Sequence, residues 1–244
     1  MRKTALSRAM GALATMGLVG ALAVAAAPAQ ASERPIDITG YSVSSITVGD
    51  SSCRNIPVSA STKIKGDYVD SYGIIDVTRN GGVVDALWME GRRVSDRASV
   101  CPSLYGLGAY KVGPADIFAE YDYWDSYFGE YFSDYSDYTD YSSKTFYVRG
   151  KTKSTLKATR SGSKVTLTAT AQVYSPEKYR YAQYNGKKAK FQVKSGNTWK
   201  TLKTVDLKKG TAKITVKQPK KKSYRLTIPT ATWAAPTTTK TVTK

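Results

Sequence analysis

The stretch SKVTLTATAQVYS (163–175) decides the fold. Polar and apolar residues alternate along it, which is the period of a β-strand with one buried face. Turn signals such as Asn185-Gly186 separate it from further segments of the same kind, which are AKFQVKSG (189–196), WKTLKTVDL (199–207), TAKITVK (211–217) and SYRLTIP (223–229). Short alternating strands separated by turns predict a small antiparallel β-sandwich.

The first half of the chain shows the same pattern. Its candidate strands are YSVSSITVG (41–49), NIPVSASTKI (55–64), YGIIDVTR (72–79), GVVDALWMEG (82–91), GAYKVGP (108–114), DIFAEYDY (116–123) and KTFYVRG (144–150). Asn80-Gly81-Gly82 predicts a hairpin turn between two of them. The predicted fold class is therefore all-β, with two small antiparallel sandwiches in tandem.

The chain begins with the pattern of an export signal. Arg2 and Lys3 precede an Ala-rich run, and the small-x-small sequence Ala29-Gln30-Ala31 follows it. We predict a signal peptide over 1–31 with cleavage between Ala31 and Ser32. We expect the mature protein to be secreted and associated with the cell wall, and to have no membrane span.

Charge divides the mature chain into two halves. Residues 32–143 contain 9 Lys and Arg against 17 Asp and Glu, whereas residues 144–244 contain 25 against 2. We predict an N-terminal sandwich over 32–149, a basic C-terminal sandwich over 150–235 and a flexible Thr/Lys tail over 236–244. The polar GKTKS (150–154) is expected to be a flexible linker.

The second half also carries a recognisable series of residues. These are Gly186, Gln192, Thr198-Trp199-Lys200-Thr201, Gly210 and Tyr224-Arg225. Over residues 150–235 they resemble the C-terminal module of secreted actinomycete proteins built from tandem immunoglobulin-like β-sandwiches. The resemblance implies an immunoglobulin-like fold for both halves, and it implies nothing about activity.

The chain has two cysteines and no histidine. An exported protein encounters an oxidising environment, so Cys53 and Cys101 are predicted to form a disulfide. The absence of histidine excludes Ser-His-Asp and Cys-His catalysis and most zinc sites. We therefore predict that the protein is not an enzyme and needs no cofactor.

The segment EYDYWDSYFGEYFSDYSDYTDYSS (120–143) is the most distinctive in the chain. It holds seven Tyr and seven Asp or Glu. The leading interpretation is a long hairpin loop that binds a partner, because Tyr-rich loops make rigid contacts. An amphipathic helix and a disordered tract are the alternatives. The predicted partner-binding residues are Trp124, Tyr127, Tyr131, Tyr135, Tyr138 and Tyr141.

The same segment offers oxygen ligands for a cation. Asp134, Asp137 and Asp140 recur at a spacing of three residues and would bind calcium only if the loop curls around the ion. Calcium is therefore a secondary expectation for this segment.

Lysines of the second half alternate with apolar residues and should cover the outer faces of the sandwich. Such a surface attracts polyanions, and cell-wall polymers or polysaccharides are the nearest ones to an exported protein. The predicted polyanion-binding residues are Lys187, Lys188, Lys220, Lys221 and Lys222. No motif for specific nucleic-acid binding is present.

The aromatic residues outside the acidic segment are expected to be structural. Trp88, Trp199 and Tyr224 should pack into cores or against neighbouring strands. The predicted function is a secreted, non-enzymatic binding protein whose basic module holds an anionic cell-envelope polymer and whose aromatic–acidic loop contacts a partner. The alternatives are a self-associating extracellular structural protein, driven by its opposite charges, and a calcium-binding secreted protein.

Overall fold

The computed structural model describes residues 34–65, 67–91, 94–186 and 188–244. The predicted signal peptide and its cleavage site, Ala31 and Ser32, lie outside these residues. The first part of the described chain is almost entirely strand. Its elements are β1 (Ile36–Val43), β2 (Ile46–Val48), β3 (Arg54–Ile64), β4 (Asp67–Arg79), β5 (Gly82–Glu90), β6 (Val94–Val100), α1 (Pro102–Tyr105), β7 (Gly108–Asp125), β8 (Glu130–Asp140) and β9 (Lys144–Gly150).

These strands form two sheets that enclose one core. The smaller sheet has the order β1-β3-β6, and the larger has the order β2-β9-β7-β4-β5 with β8 added to β7. All pairs are antiparallel except β2 with β9. Inward-facing residues such as Ile75, Leu87 and Ile117 are almost completely buried between the sheets. Burial of these alternate apolar residues is the main stabilising contribution of a sandwich.

The second part of the described chain continues with short strands. They are β10 (Thr152–Ser161), β11 (Lys164–Ser175), β12 (Arg180–Gln183), β13 (Ala189–Ser195), β14 (Thr198–Val205), β15 (Thr211–Lys217), β16 (Ser223–Ile228), β17 (Thr237–Thr238) and β18 (Val242–Thr243), with a 3-10 turn at Pro176–Lys178. The described chain therefore confirms an all-β protein. Within it, no helix is long and apolar enough to cross a membrane.

The second sandwich is built around the segment 163–175. This segment forms β11, which pairs with β10, β12 and β15 in a four-stranded sheet. The facing sheet has the order β14-β13-β16-β17 with β18 also on β16. Val165, Leu167 and Ala169 point inward and are fully buried, whereas the residues between them face outward. The prediction of two antiparallel sandwiches is confirmed.

The junction between the sandwiches is tied down rather than flexible. β9 ends at Gly150 and β10 begins at Thr152, so a single residue separates them. The Gly150 N–H donates to the Trp233 carbonyl at 3.0 Å, and the Gly150 carbonyl accepts from the Ala235 N–H at 3.0 Å. The predicted flexible linker is wrong because its backbone is hydrogen-bonded in the adjoining strands.

The predicted flexible tail over 236–244 is also ordered in the sandwich. β17 and β18 both pair with β16. Thr239 is buried and its hydroxyl accepts a hydrogen bond from the Leu226 N–H at 3.0 Å. Lys222 and Lys244 exchange backbone hydrogen bonds. Threonine favours strands, and a polar composition alone did not reveal that these residues complete a sheet.

The disulfide between Cys53 and Cys101 is confirmed. Cys53 lies just before β3 and Cys101 just after β6. These strands are neighbours, with Arg54 opposite Val100. The bond therefore joins the ends of two paired strands and closes a loop across 48 residues of sequence.

Candidate functional site

The acidic, Tyr-rich segment is a β-hairpin. β7 and β8 pair without interruption from Ala115 opposite Asp140 to Asp125 opposite Glu130. The Asp125 side chain accepts hydrogen bonds from the Tyr127 and Phe128 N–H groups at the turn. The predicted loop, like the alternative helix, is therefore wrong, because strand pairing satisfies the backbone of nearly the whole segment.

Cross-strand side-chain contacts explain why this segment pairs. The Trp124 and Tyr131 rings meet edge to face at 5.1 Å, and the Tyr123 and Phe132 rings stack at 6.1 Å. The Ser133 hydroxyl donates to Asp122 at 2.6 Å. Pairs of this kind each contribute about 0.2–1 kcal/mol to a sheet. They compensate for residues that are individually weak strand formers.

The hairpin continues an exposed aromatic stack on the outer face of the larger sheet. Tyr72 stacks on Phe118 at 4.8 Å between centroids, and Phe118 stacks on Tyr135 at 5.4 Å. Tyr72 and Tyr135 are 56% and 58% exposed. We call the outer-face residues of this sheet the aromatic–acidic face. Its apolar members are Tyr72, Ile74, Trp88, Phe118, Trp124, Tyr131 and Tyr135.

Carboxylates alternate with these rings across the strands. Three adjacent rows of the face read Glu90-Tyr72-Phe118-Asp137, Trp88-Ile74-Asp116-Thr139 and Asp70-Glu120-Tyr135. These rows contain five carboxylates and no lysine or arginine. A contiguous exposed aromatic surface with this charge is suited to contact a basic partner.

The structure separates the predicted partner-binding residues into two groups. Those that remain exposed are Trp124, Tyr127, Tyr131, Tyr135 and Tyr141. Tyr138 is only 9% exposed and belongs to the core, so its prediction as a binding residue is wrong. The alternation of β8 turns its side chain inward, on the strand face opposite to Tyr135.

Tyr138 instead covers the free edge of β1. Its hydroxyl donates to the Ile36 carbonyl and accepts from the Ile36 N–H. Two and four residues later, Asp140 accepts from the Ile38 N–H at 2.8 Å and the Ser142 hydroxyl donates to the Ile38 carbonyl at 2.7 Å. Three side chains thus pair with the backbone of an edge strand, which would otherwise carry unsatisfied polar groups.

Burial at this edge also affects a neighbouring phenol. Tyr41 is 8% exposed, and burial, followed by the Asp140 carboxylate, raises its pKa. Burial likewise raises the pKa of Tyr138 to about 12, although its hydrogen bond to Ile36 acts in the opposite direction. Both phenols stay protonated at neutral pH.

The calcium expectation is wrong for this arrangement. Asp134, Asp137 and Asp140 lie on one strand, and strand alternation puts Asp137 on the face opposite to the other two. Asp134 and Asp140 are about 20 Å apart at a rise near 3.4 Å per residue. No cluster of three or more potential metal ligands occurs among the residues that the structure describes.

The predicted polyanion-binding lysines lie in loops of the second sandwich. Lys188 is exposed beside Asp206, whose side chain accepts from the Lys188 N–H at 3.3 Å. Lys220, Lys221 and Lys222 occupy the loop between β15 and β16. Arg160 secures this loop by donating to the Lys220 carbonyl at 3.0 Å. Lys187 lies outside the described residues.

One member of the aromatic–acidic face, Trp88, differs from its predicted position. Trp88 was expected to pack inside, yet it is 68% exposed because Leu87 and Met89 take the inward positions of β5. Tyr224 is fully buried, as expected. Trp199 is half-buried beneath the Arg225 guanidinium, 4.2 Å from its ring centroid. Strict alternation from Leu87 and Met89 would have placed Trp88 outside.

Two solved structures are similar to this chain. The human OSCAR ligand-binding domain matches with 12% sequence identity and a TM-score of 0.27, over 83% of this chain and 96% of that domain. The D00-D0 domain of intimin matches with 16% identity and a TM-score of 0.25, over 85% of this chain and 97% of that domain. Both TM-scores are low, and neither similarity indicates a function for this chain.

No protein-family model matches the chain. No curated protein matches it either. The resemblance of residues 150–235 to secreted actinomycete modules therefore stays a prediction.

Proposed function

We propose that the protein is a secreted, non-enzymatic binding protein with two binding surfaces. The aromatic–acidic face of the first sandwich contacts a partner, and the basic second sandwich holds an anionic polymer of the cell envelope. The observation that carries this proposal is the exposed stack of Tyr72, Phe118 and Tyr135. The disulfide fits an oxidising extracellular location.

The geometry of the aromatic–acidic face favours recognition. Its rings stand on paired strands, so their positions are fixed before a partner arrives and little conformational entropy is lost on binding. Aromatic side chains are also the most frequent source of binding energy in protein interfaces. Contiguous exposed apolar surface often marks a site of interaction with another molecule.

The same geometry indicates the chemistry of the partner. Because Tyr72, Phe118 and Tyr135 stack on one another, both faces of the Phe118 ring and one face each of the Tyr72 and Tyr135 rings are occupied. Flat sugar rings need free aromatic faces for stacking. A polypeptide with lysine or arginine fits better, since its alkyl stems cover ring edges while its charges pair with the surrounding carboxylates.

The second binding surface rests on charge. Residues 144–244 hold 25 Lys and Arg against only Glu177 and Asp206. The lysines on alternate strand positions and in the loops at Lys188 and Lys220–Lys222 face solvent on more than one side of the sandwich. A field of this sign attracts anionic wall polymers from all directions, and salt weakens that attraction.

Exposed-face substitutions test the first surface without unfolding the domain. Tyr72→Ser/Tyr135→Ser removes two rings of the stack, whereas Tyr179→Ser removes a ring that is 71% exposed on the other sandwich. Immobilised wild-type protein and both variants are incubated with culture supernatant and with isolated cell walls. Retention of a protein by wild type and Tyr179→Ser, and its loss by the double variant, supports the face. Equal retention by all three refutes it.

Self-association is a second candidate function, favoured by one observation. The two halves of the mature sequence have net charges of −8 and +23, from 9 − 17 and 25 − 2. The acidic face of one copy would then dock on a basic face of another. Light scattering of the purified protein at low and high salt separates the candidates, because charge-driven assembly disappears at high salt and a monomer at both salt concentrations excludes it.

A further inference from the structure

One face of the second sandwich carries threonine and lysine side chains in regular rows. On the outer side of β10, β11 and β15, residues in register form alternating rows of threonine and lysine. The rows are Thr155-Thr170-Thr211, Lys157-Thr168-Lys213, Thr159-Thr166-Thr215 and Ser161-Lys164-Lys217. None of these residues is acidic. We call this surface the threonine–lysine face.

A cavity of about 380 Å³ opens at one end of this face. Lys153 and Lys209 line it, together with the hydroxyl-bearing residues Thr155, Thr170 and Thr211. Gln172 and Gln183 add amide groups, and no carboxylate lines it. The volume lies within the range of small-molecule sites, roughly 300–1,000 Å³.

The side chain of Lys153 and the backbone of Lys209 are held in defined positions. The Lys153 ammonium lies 3.8 Å from the centroid of the Tyr181 ring. Lys209 and Gly210 form a tight turn with φ angles of 49° and 72°, closed by reciprocal backbone hydrogen bonds between Lys208 and Thr211. The first turn position usually belongs to Asn or Gly, so a lysine there is strained.

The turn itself is locked onto the sheet. A side chain at Gly210 would place its Cβ 2.7 Å from the Ala171 carbonyl oxygen, and the Gly210 carbonyl accepts from the Ala171 N–H at 2.8 Å. Only glycine allows both this close approach and the positive φ. Lys209 is therefore presented above the cavity by rigid backbone rather than by a mobile loop.

The donors of the cavity match an anionic sugar derivative. The Thr155 and Thr170 hydroxyls are 2.7 Å apart. One hydroxyl donates to the other, so one of the two protons remains for a ligand oxygen. Ammonium groups bind sulfate, phosphate or carboxylate oxygens, whereas threonine hydroxyls and glutamine amides both donate to and accept from sugar hydroxyls.

The other lysines of the threonine–lysine face lie beyond the cavity, in the direction of β10. Lys153 and Lys157 are four residues apart on β10, which corresponds to about 13 Å at a rise near 3.3 Å per residue. Lys213 faces Lys157 across one strand. Charges that recur along a flat strip suit a linear polymer with an anionic group on its repeat units.

We propose that the threonine–lysine face binds an anionic polysaccharide, with one charged sugar unit in the cavity at Lys153 and Lys209 and the chain along β10, β11 and β15. The proposal rests on the polyanion binding given above as the proposed function. It assigns that binding to one face and to sugar chemistry.

Two variants that remove the same number of charges test where the polysaccharide binds. Lys153→Gln/Lys209→Gln removes two charges at the cavity, and Lys190→Gln/Lys203→Gln removes two exposed charges from the opposite sheet. Affinity for fluorescent dextran sulfate is measured by anisotropy at fixed salt, with thermal midpoints as a check of folding. The cavity variant is expected to bind at least about tenfold more weakly and the control less than about threefold. Equal losses overturn the proposal.

A second arm tests the sugar chemistry. Thr155→Val/Thr170→Val keeps the shape and β-branching of both side chains but removes both hydroxyls. It should weaken binding of dextran sulfate more than binding of inorganic polyphosphate, because polyphosphate has no sugar hydroxyls to donate to the threonine oxygens. Unchanged affinity for dextran sulfate refutes recognition of the sugar. Wild-type protein that binds dextran sulfate no better than neutral dextran refutes the proposed polyanion function itself, which is a different outcome from equal losses in the two lysine variants.

Discussion

Replacing Tyr138 with phenylalanine tests the structural role of the hairpin base. The substitution removes a single oxygen atom and keeps the ring in the core. It abolishes the hydrogen bonds that this oxygen makes with the N–H and carbonyl of Ile36. Both groups then remain on the edge of β1 without their partner, and Ile36 is completely buried.

The expected cost follows from that burial. A buried polar group left without a partner destabilises a protein by about 1–3 kcal/mol, and two such groups are created here. The ring leaves no cavity, so no packing loss is added. We expect the free energy of unfolding to fall by about 3 kcal/mol, which is a large fraction of the ~5–15 kcal/mol typical of a domain.

Urea unfolding followed by tryptophan fluorescence measures this loss. With a urea m-value near 2–3 kcal/mol/M, the unfolding midpoint should fall by about 1 M while the slope is unchanged. Tyr135→Phe is the matched control, because Tyr135 precedes Tyr138 by one repeat and is 58% exposed. Its effect should lie within about 0.5 kcal/mol. A Tyr138→Phe protein that is as stable as the control would refute the edge-covering role.

Three further substitutions probe other parts of the fold. Burial raises the pKa of Tyr110 to about 12 from 10.0, so the folded state binds this proton more tightly than the unfolded state. Tyr110 should therefore lower the free energy of unfolding by up to about 3 kcal/mol as pH rises from 10 to 12. Tyr110→Phe should reduce the total decrease by this amount in urea titrations. Cys53→Ser/Cys101→Ser opens a loop of 48 residues and should cost about 4 kcal/mol in the same assay, whereas a loss below about 1 kcal/mol would contradict a stabilising bond. Gly150→Ala would drive a Cβ into the Tyr174 carbonyl at the junction, so its thermal midpoint should fall by several degrees, and an unchanged midpoint would contradict the tight contact.

The second sandwich could be predicted from the sequence because its signals are local. In β11 and β15, every other residue is apolar and β-branched residues are frequent, so each segment specifies a strand by itself. The outward positions of the lysines follow from the same alternation. The cavity at Lys153 and Lys209 could not be predicted from this alternation, because it brings together residues from β10 and from a turn more than fifty positions later.

The hairpin could not be predicted because its stabilising contacts are non-local. Asp, Ser and Gly are depleted in strands, and the aromatic residues of 124–141 recur at three or four residues, which imitates a helical stripe. What decides the structure is the match of Trp124 with Tyr131 and of Tyr123 with Phe132 across the turn. β7 also pairs with β4 on its other side, and this pairing stabilises the hairpin. A short segment of sequence cannot reveal it, because β4 lies far from β7 in the chain.

The repeat SDY-SDY-TDY (133–141) has a sequence period that differs from the side-chain period of a β-strand. Its period of three residues runs along a strand whose side chains alternate with a period of two. Successive copies therefore present the same residue type to opposite faces. Tyr135 joins the exposed stack and Tyr138 enters the core, whereas Asp137 faces solvent and Asp140 accepts a hydrogen bond from β1.

This alternation places buried structural residues and exposed residues in one short repeat. The inward residues Tyr138 and Asp140 cover the edge of β1 and anchor the hairpin to the smaller sheet. This anchor holds the outward residues rigid. Deleting the whole segment would remove the anchor together with part of the aromatic–acidic face. Loss of binding to a partner could then not be distinguished from unfolding of the domain. Substitutions at outward positions alone, such as Tyr135, separate binding from folding because the inward positions stay intact.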